Sequence, residues 1–288
     1  MAQWADRYWT SKDGLKLHYR DYAGPHERPP ILCLPGLTRN ARDFEPVADR
    51  YAGEWRVIAV EFRGRGRSEY DPNPANYVPH TYAADVLKLL DQLGIADAVF
   101  FGTSLGGIVT MLMSTTDSER IAGAMINDIG PVIEDHGVDR LRTYVGKSVA
   151  LHSWGEAAQA AATRNRIAFP DYSPAQWETF ARRGYSERPD GTIRADYDME
   201  IARAFNEHQR APEFDPWPLI ENLKDKPLLL VRGETSDLLS VETAERMIAA
   251  LPNAEMVTVP GVGHAPVLDE PEAVAGIDRL LAKVLAEQ

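Results

Sequence analysis

The 288-residue chain contains a single cysteine, Cys33. No internal disulfide can form, which fits a reducing compartment and gives a cytoplasmic expectation. Positive charge is also scarce. Against 43 Asp and Glu stand 31 Lys and Arg, a formal net charge of −12. An acidic chain repels phosphate backbones and anionic lipid surfaces, so neither nucleic acid nor membrane is expected as a partner. The N-terminal residues lack a basic segment followed by an apolar one, so no signal peptide is read there. Internal repeats and low-complexity tracts are absent. Long apolar runs are rare as well. The longest charge-free stretch, Ala98 to Thr116, has the length of a membrane helix, but Gly102, Gly106 and Gly107 interrupt it. It reads instead as a buried strand, a tight turn and a buried helix. No cluster of His, Cys and carboxylates has metal-ligand spacing, and neither metal nor cofactor is expected.

What remains is ample material for a core. Hydrophobic residues make up 44% and charged residues 26%, ordinary proportions for a globular chain long enough to need no staple. Leu15 to Arg20 alternates apolar and polar residues, as a half-buried strand does. Ile31–Leu34, Val57–Val60, Ala98–Phe101 and Ala122–Ile126 are short apolar runs that suit strands buried on both faces. Between them lie residues at helical spacing: Phe44, Val47, Ala48 and Tyr51, then Tyr82, Val86, Leu89, Leu90 and Leu93. Thr81 is read as the cap of the second helix and Gly94 as its stop. Strands alternating with helices predict a parallel sheet covered on both faces. The alternation lapses near Pro131. Residues 132–212 carry helical stretches but no convincing buried strand. Strands return at Pro227–Val231 and Met256–Val259, and a final amphipathic helix uses Val274, Ile277, Leu281 and Val284. The expected organisation is an α/β core, 1–131 and 213–288, interrupted by a helical insertion, 132–212.

Chemistry concentrates at strand ends. Gly102-Thr-Ser-Leu-Gly106 follows one strand and opens a helix, the context in which G-x-S-x-G raises a serine out of a tight turn. Ser104 is the candidate nucleophile. A serine needs a base within hydrogen-bond reach. His264, in the Gly261-to-Pro266 loop after the last strand, is the candidate. His18, His26, His80, His136, His152 and His208 lack such a setting and are read as surface or cap residues. The base in turn needs a carboxylate. Asp237, in Arg232-Gly-Glu-Thr-Ser-Asp237, is preferred because an acid in a late loop falls between Ser104 and His264. Glu234 and Asp128 are its rivals. Oxyanion donors are expected from the backbone N–H groups of Leu105 and Leu37, the latter beside Gly36 in the loop after Ile31–Leu34. Arg39 in that loop is read as solvated rather than as a substrate contact. Phe62-Arg-Gly-Arg-Gly-Arg-Ser68 lacks a phosphate-loop ending, so its arginines are read as structural.

Taken together, the Pro35-Gly36 loop, Arg63 to Ser68, Gly102 to Gly107, Gly233 to Asp237 and Gly263-His264 resemble the α/β-hydrolase superfamily over residues about 10–131 and 213–288. Leu34-Pro-Gly stands where many members have His-Gly, and Glu61 where many have Asp. The resemblance implies a mostly parallel eight-stranded sheet with a helical cap after strand six. That cap would roof the cleft. Its Trp154, Trp177, Phe180 and Tyr185 would line an apolar pocket or form the cap's own core. With a serine at the elbow, the implied activity is hydrolysis of a small, largely apolar carboxylic ester, thioester or lactone through an acyl-enzyme. A carbon–carbon bond hydrolase of aromatic ring-fission products shares the same residues, and a small-ligand receptor shares the fold. A small molecule is the expected partner in each case, and the oligomeric state is left open.

Overall fold

The computed structural model describes residues 1–207 and 215–287. Its centre is an eight-stranded sheet in the order β1-β2-β4-β3-β5-β6-β9-β10. The strands are β1 (Trp4–Thr10), β2 (Lys16–Tyr22), β3 (Ile31–Leu34), β4 (Val57–Val60), β5 (Ala98–Thr103), β6 (Ile121–Asn127), β9 (Leu228–Gly233) and β10 (Ala254–Val259), while β7 (Tyr185–Glu187) and β8 (Ile193–Ala195) form a separate antiparallel pair. Only the β1–β2 and β2–β4 pairings of the large sheet are antiparallel. The short central strands are apolar throughout because both faces are covered. Leu32, Leu34, Ile58 and Phe100 pack under α2 (Pro79–Leu93) and α3 (Leu105–Asp117). Ile31, Cys33, Val57, Ala59 and Phe101 point the other way, towards α1 (Glu45–Tyr51) and the last helix, α10 (Pro271–Ala286). The α2 helix starts at Pro79, two residues before the expected Thr81 cap. A proline at the first helical position has its φ already set and forfeits only an N–H that would be unpaired anyway.

Strand order reverses at β3. From there the chain builds outward through β4 in one direction and through β5, β6, β9 and β10 in the other. Leu34 pairs with Gly102 across this point, so the loops that leave β3 and β5 emerge side by side. In open α/β sheets a ligand crevice forms at such a reversal.

Between β6 and β9 lie α4 (Asp135–Tyr144), α5 (Trp154–Asn165), α6 (Pro174–Gly184), the β7–β8 pair, α7 (Ile201–Glu207) and α8 (Pro218–Glu221). The β7–β8 pair falls where no strand is expected from the sequence. Three residues per strand are too few for a two-residue period to register. Trp177 is buried against Phe169, Tyr172 and Phe180 in an aromatic cluster. The expected boundary at 212–213, and His208, lie outside the described residues. The remaining helix, α9 (Val241–Ala250), packs against β10. Among the described residues no helix is long and apolar enough to cross a membrane.

Two of the three arginines of the Phe62-to-Ser68 turn anchor the fold. Arg63, fully buried, pairs with Asp13, Asp71 and Asp85. Arg65, also fully buried, donates to the carbonyl oxygen of Leu37 at 3.0 and 2.8 Å, to that of Arg63 at 2.7 Å and to the Tyr82 hydroxyl at 2.9 Å. His18 departs from its surface expectation. It is buried in β2, with Nδ1 2.9 Å from Glu61 and Nε2 3.0 Å from Asp6. The alternation of a half-buried strand places it on one face without revealing that Glu61, Asp6 and the Tyr8 ring close around it.

Candidate active site

Ser104 sits between β5 and α3 with φ 53° and ψ −114°, a left-handed conformation that few non-glycine residues adopt. The flanking glycines are required by space. A Cβ on Gly102 would lie 2.5 Å from the Gly106 carbonyl oxygen, and one on Gly106 would lie 2.0 Å from that of Leu34. The turn is pinned from the neighbouring strand, where the Asn127 carbonyl accepts from the Ser104 N–H at 2.9 Å. Ser104 caps α3, and the N–H groups of the first helical turn begin at Leu105.

His264 reaches the serine from the loop after β10. Its Nε2 is 2.9 Å from Ser104 Oγ, and its Nδ1 is 2.9 Å from Asp128 Oδ2. Further bonds hold that loop, among them one from the Thr235 N–H to the Val262 carbonyl at 3.0 Å. Glu234 accepts from the Gly261 N–H at 2.7 Å, Ala168 of the insertion accepts from the Gly263 N–H at 2.8 Å, and Asn127 Nδ2 donates to the Pro266 carbonyl at 2.8 Å.

The acid beside His264 is therefore Asp128, not the preferred Asp237. Asp128 immediately follows β6, the strand next to the one that carries Ser104, and has a left-handed φ of 58°. It is completely buried. Its Oδ1 accepts from the Gly233 N–H at 2.8 Å, and its Oδ2 accepts from the Ser236 hydroxyl at 2.7 Å. Asp237 lies four residues beyond the end of β9 and is engaged elsewhere. Arg140 of α4 grips it with two guanidinium nitrogens, one at 2.9 Å. Burial opposes its charge, but the Arg140 bonds prevail and hold its carboxyl below the usual value. Glu234, the other rival, serves the His264 loop rather than the imidazole.

A hydroxyl, an imidazole and a carboxylate in one hydrogen-bonded row can move a proton from oxygen to nitrogen and stabilise the resulting imidazolium. Leu37 and Leu105, the expected oxyanion donors, both border the space around Ser104. No hydrogen bond among the described residues consumes either N–H.

Two cavities meet at Ser104. The smaller, about 150 Å³, is walled by Leu37, Arg39, Arg164, Phe180, Tyr185 and His264, among others. The larger, about 690 Å³, is more apolar and includes Leu105, Ile108, Ile129, Val138 and Phe205. Arg39 corrects its solvated reading. It pairs with Asp43, lies 4.5 Å over the Phe180 ring and abuts Gly184, where a Cβ would come within 2.5 Å of Nη1. Of the four aromatics singled out in the sequence, Phe180 and Tyr185 border the smaller cavity. Trp177 belongs to the aromatic cluster, and Trp154 stacks under Arg182 at 4.3 Å. Arg164, Asn127 and Ser236 carried no sequence signal, because each acts through a partner distant in the chain.

The fold has known counterparts. The chain matches the alpha/beta hydrolase family over residues 31–277, and it belongs to that family. It is similar to the crystal structure of an alpha/beta hydrolase from Novosphingobium aromaticivorans, with 50% identity, a TM-score of 0.93 and coverage of 98% of this chain and 99% of that one. Among characterised relatives, a 3-hydroxybutyrate-oligomer hydrolase of Cupriavidus necator is 31% identical over 268 residues, covering 90% of both chains. A 2-(acetamidomethylene)succinate hydrolase of Mesorhizobium japonicum is 28% identical over 236 residues, covering 82% of this chain and 81% of that one. The chain is a hydrolase with this fold.

Proposed function

We propose that the protein is a serine hydrolase that cleaves a small carboxylic ester, thioester or lactone through an acyl-enzyme, in a cytoplasmic setting. The observation that carries this reading is the Ser104–His264–Asp128 row, 2.9 Å at each step. Ser104 Oγ attacks the carbonyl carbon while its proton passes to His264 Nε2. Asp128 fixes the imidazole tautomer through Nδ1 and stabilises the imidazolium. The Leu37 and Leu105 N–H groups receive the negative charge that develops on the carbonyl oxygen. As the tetrahedral adduct collapses, the carbon–oxygen or carbon–sulfur bond to the leaving group breaks. The leaving group departs with the Nε2 proton. Water then attacks the acyl-enzyme, His264 takes a proton from it, and Ser104 is restored as the carboxylic acid leaves.

The insertion between β6 and β9 acts in this reading as a cap that closes the cleft and selects the substrate. Its α4 and α5 contribute Leu141 and Arg164 to the cavity walls. Ester cleavage is favoured over carbon–carbon cleavage because the Cupriavidus necator relative acts on 3-hydroxybutyrate oligomers, and hydroxy acids join head to tail through esters.

The test is turnover of p-nitrophenyl acetate, butyrate and octanoate by the native protein and by Ser104→Ala. Loss of the nucleophile is expected to lower kcat on the order of a million-fold. Full activity in Ser104→Ala would sink the assignment.

A further inference from the structure

We propose that Arg164 binds a carboxylate of the substrate, so that the enzyme's esters are anionic, with a free carboxylate a few bonds from the scissile carbonyl. The proposal rests on the serine-hydrolase reading above and adds the chemical class of the substrate to it.

The smaller cavity has a charge balance opposite to that of the whole chain. Three arginines, Arg39, Arg164 and Arg183, border it, and the sole carboxylate among its lining residues is Asp43. The chain as a whole carries −12. The three arginines differ in what neutralises them. Asp43 engages Arg39 through both Nε and Nη2. Arg183 Nε lies 3.9 Å from Glu45, a carboxylate that Arg20 already holds at 2.8 Å. Arg164 has no carboxylate within salt-bridge distance among the described residues. Its partners are both neutral: the Tyr185 hydroxyl accepts from Nη1 at 3.2 Å, and the Lys147 carbonyl accepts from Nη2 at 2.8 Å.

A half-buried guanidinium without a counter-ion is an unbalanced charge in a medium that screens poorly. Here it also borders the cavity that Ser104 and His264 line. Tyr185 and Lys147 fix the group's orientation and leave donors unused. A planar guanidinium held in this way matches the two oxygens of a carboxylate. The second cavity is larger and somewhat more apolar, with Asp135, Asp139 and Arg142 among its lining residues, and meets the first at Ser104. A scissile carbonyl at Ser104 thus has an anion-binding wall on one side and an apolar chamber on the other. The fitting substrate is an ester with one carboxylate-bearing portion and one apolar portion.

The test compares the ester-linked dimer of 3-hydroxybutyrate with the same dimer capped as its methylamide, following cleavage by chromatography. The native protein is expected to favour the free carboxylate by at least tenfold in kcat/KM, as a charge-assisted contact of this kind implies. Arg164→Gln is expected to reduce that ratio at least tenfold, and Arg164→Lys to restore part of it. A merely structural loss would lower both rates together and leave the ratio alone. A native ratio near one, or a ratio unchanged in Arg164→Gln, overturns the proposal. If neither dimer is cleaved, calorimetric titration with glutarate decides independently of turnover. Binding at least tenfold weaker in Arg164→Gln is expected. Equal affinity in the two proteins, or none in the native one, overturns the subsite. Cleavage of the free-acid dimer at an undiminished rate by Ser104→Ala would instead overturn the serine-hydrolase reading itself.

Discussion

Asp128 and His264 are 136 residues apart in sequence, yet Asp128 Oδ2 lies 2.9 Å from His264 Nδ1, completely enclosed at the end of β6. Asp237, on the loop after β9, faces Arg140 of α4 instead. The sheet carries an acid at each of two neighbouring strand ends, and one of them touches the imidazole.

The two carboxylates therefore respond differently to neutralisation. Asp128→Asn keeps the volume but loses the charge that favours the working tautomer of His264 and its protonated form. A drop in kcat of about 10⁴-fold is expected, the size seen when the acid of such a row is amidated. For Asp237→Asn a loss below about tenfold is expected, since its bonds run to the insertion. Steady-state kinetics on p-nitrophenyl butyrate measure both. A severe loss in Asp237→Asn beside a mild one in Asp128→Asn would return the role to Asp237.

The Arg140–Asp237 pair also has a pH signature. Arg140 holds the Asp237 carboxyl below its ordinary value of 3.8 in the folded protein, against the opposing effect of burial. A depressed folded value stabilises the fold above the unfolded value, and that contribution is lost as pH falls through the folded one. The difference in urea midpoint between native protein and Asp237→Asn is expected to hold constant from neutral pH down to about 5. Below 3.8 it should narrow steadily. A difference that widens in acid would show that the pair does not act in this way.

The serine and histidine were legible because each carries its local constraint in neighbouring residues. Gly102 and Gly106 declare a turn with no room for side chains, and Gly261 and Gly263 frame a loop after a strand. The acid carries no such frame. Asp128 and Asp237 both follow apolar strands, and the choice between them depends on Arg140, which is 97 residues from Asp237 and in the insertion. Arg39 was misread for a similar reason. Its burial comes from Phe180 and Gly184 of α6, which local polarity cannot reveal. His18 was hidden because Glu61 and Asp6, the residues that make its burial tolerable, come from a separate turn and strand. The central strands β3, β4, β5, β6 and β9 were readable because burial on both faces leaves unbroken apolar runs, whereas the mostly exposed β1 leaves none and the count of eight came with the family resemblance, while β7 and β8 are too short to leave any pattern.

Arg65 links the glycine-rich turn to the proposed chemistry. It is fully buried, and two of its bonds end on the carbonyl of Leu37, the residue whose N–H is assigned to the oxyanion. Removing the guanidinium leaves the Leu37 and Arg63 carbonyls and the Tyr82 hydroxyl without their donor. Buried acceptors stripped in this way cost about 1–3 kcal/mol each and do not add fully, so Arg65→Gln is expected to lose about 3 kcal/mol of stability. The loop would also lose its anchor, and an oxyanion donor displaced by a fraction of an ångström stabilises the transition state less. A fall of roughly 10–100-fold in kcat is expected at a temperature where the variant remains folded. Arg67→Gln is the control. That side chain is 61% exposed and pairs with Asp6 at the surface, so its loss should change stability by no more than about 0.5 kcal/mol. Urea denaturation and p-nitrophenyl ester kinetics on both variants provide the measurement. If Arg65→Gln proved as stable and active as Arg67→Gln, the Leu37 loop would have to be held by something other than Arg65.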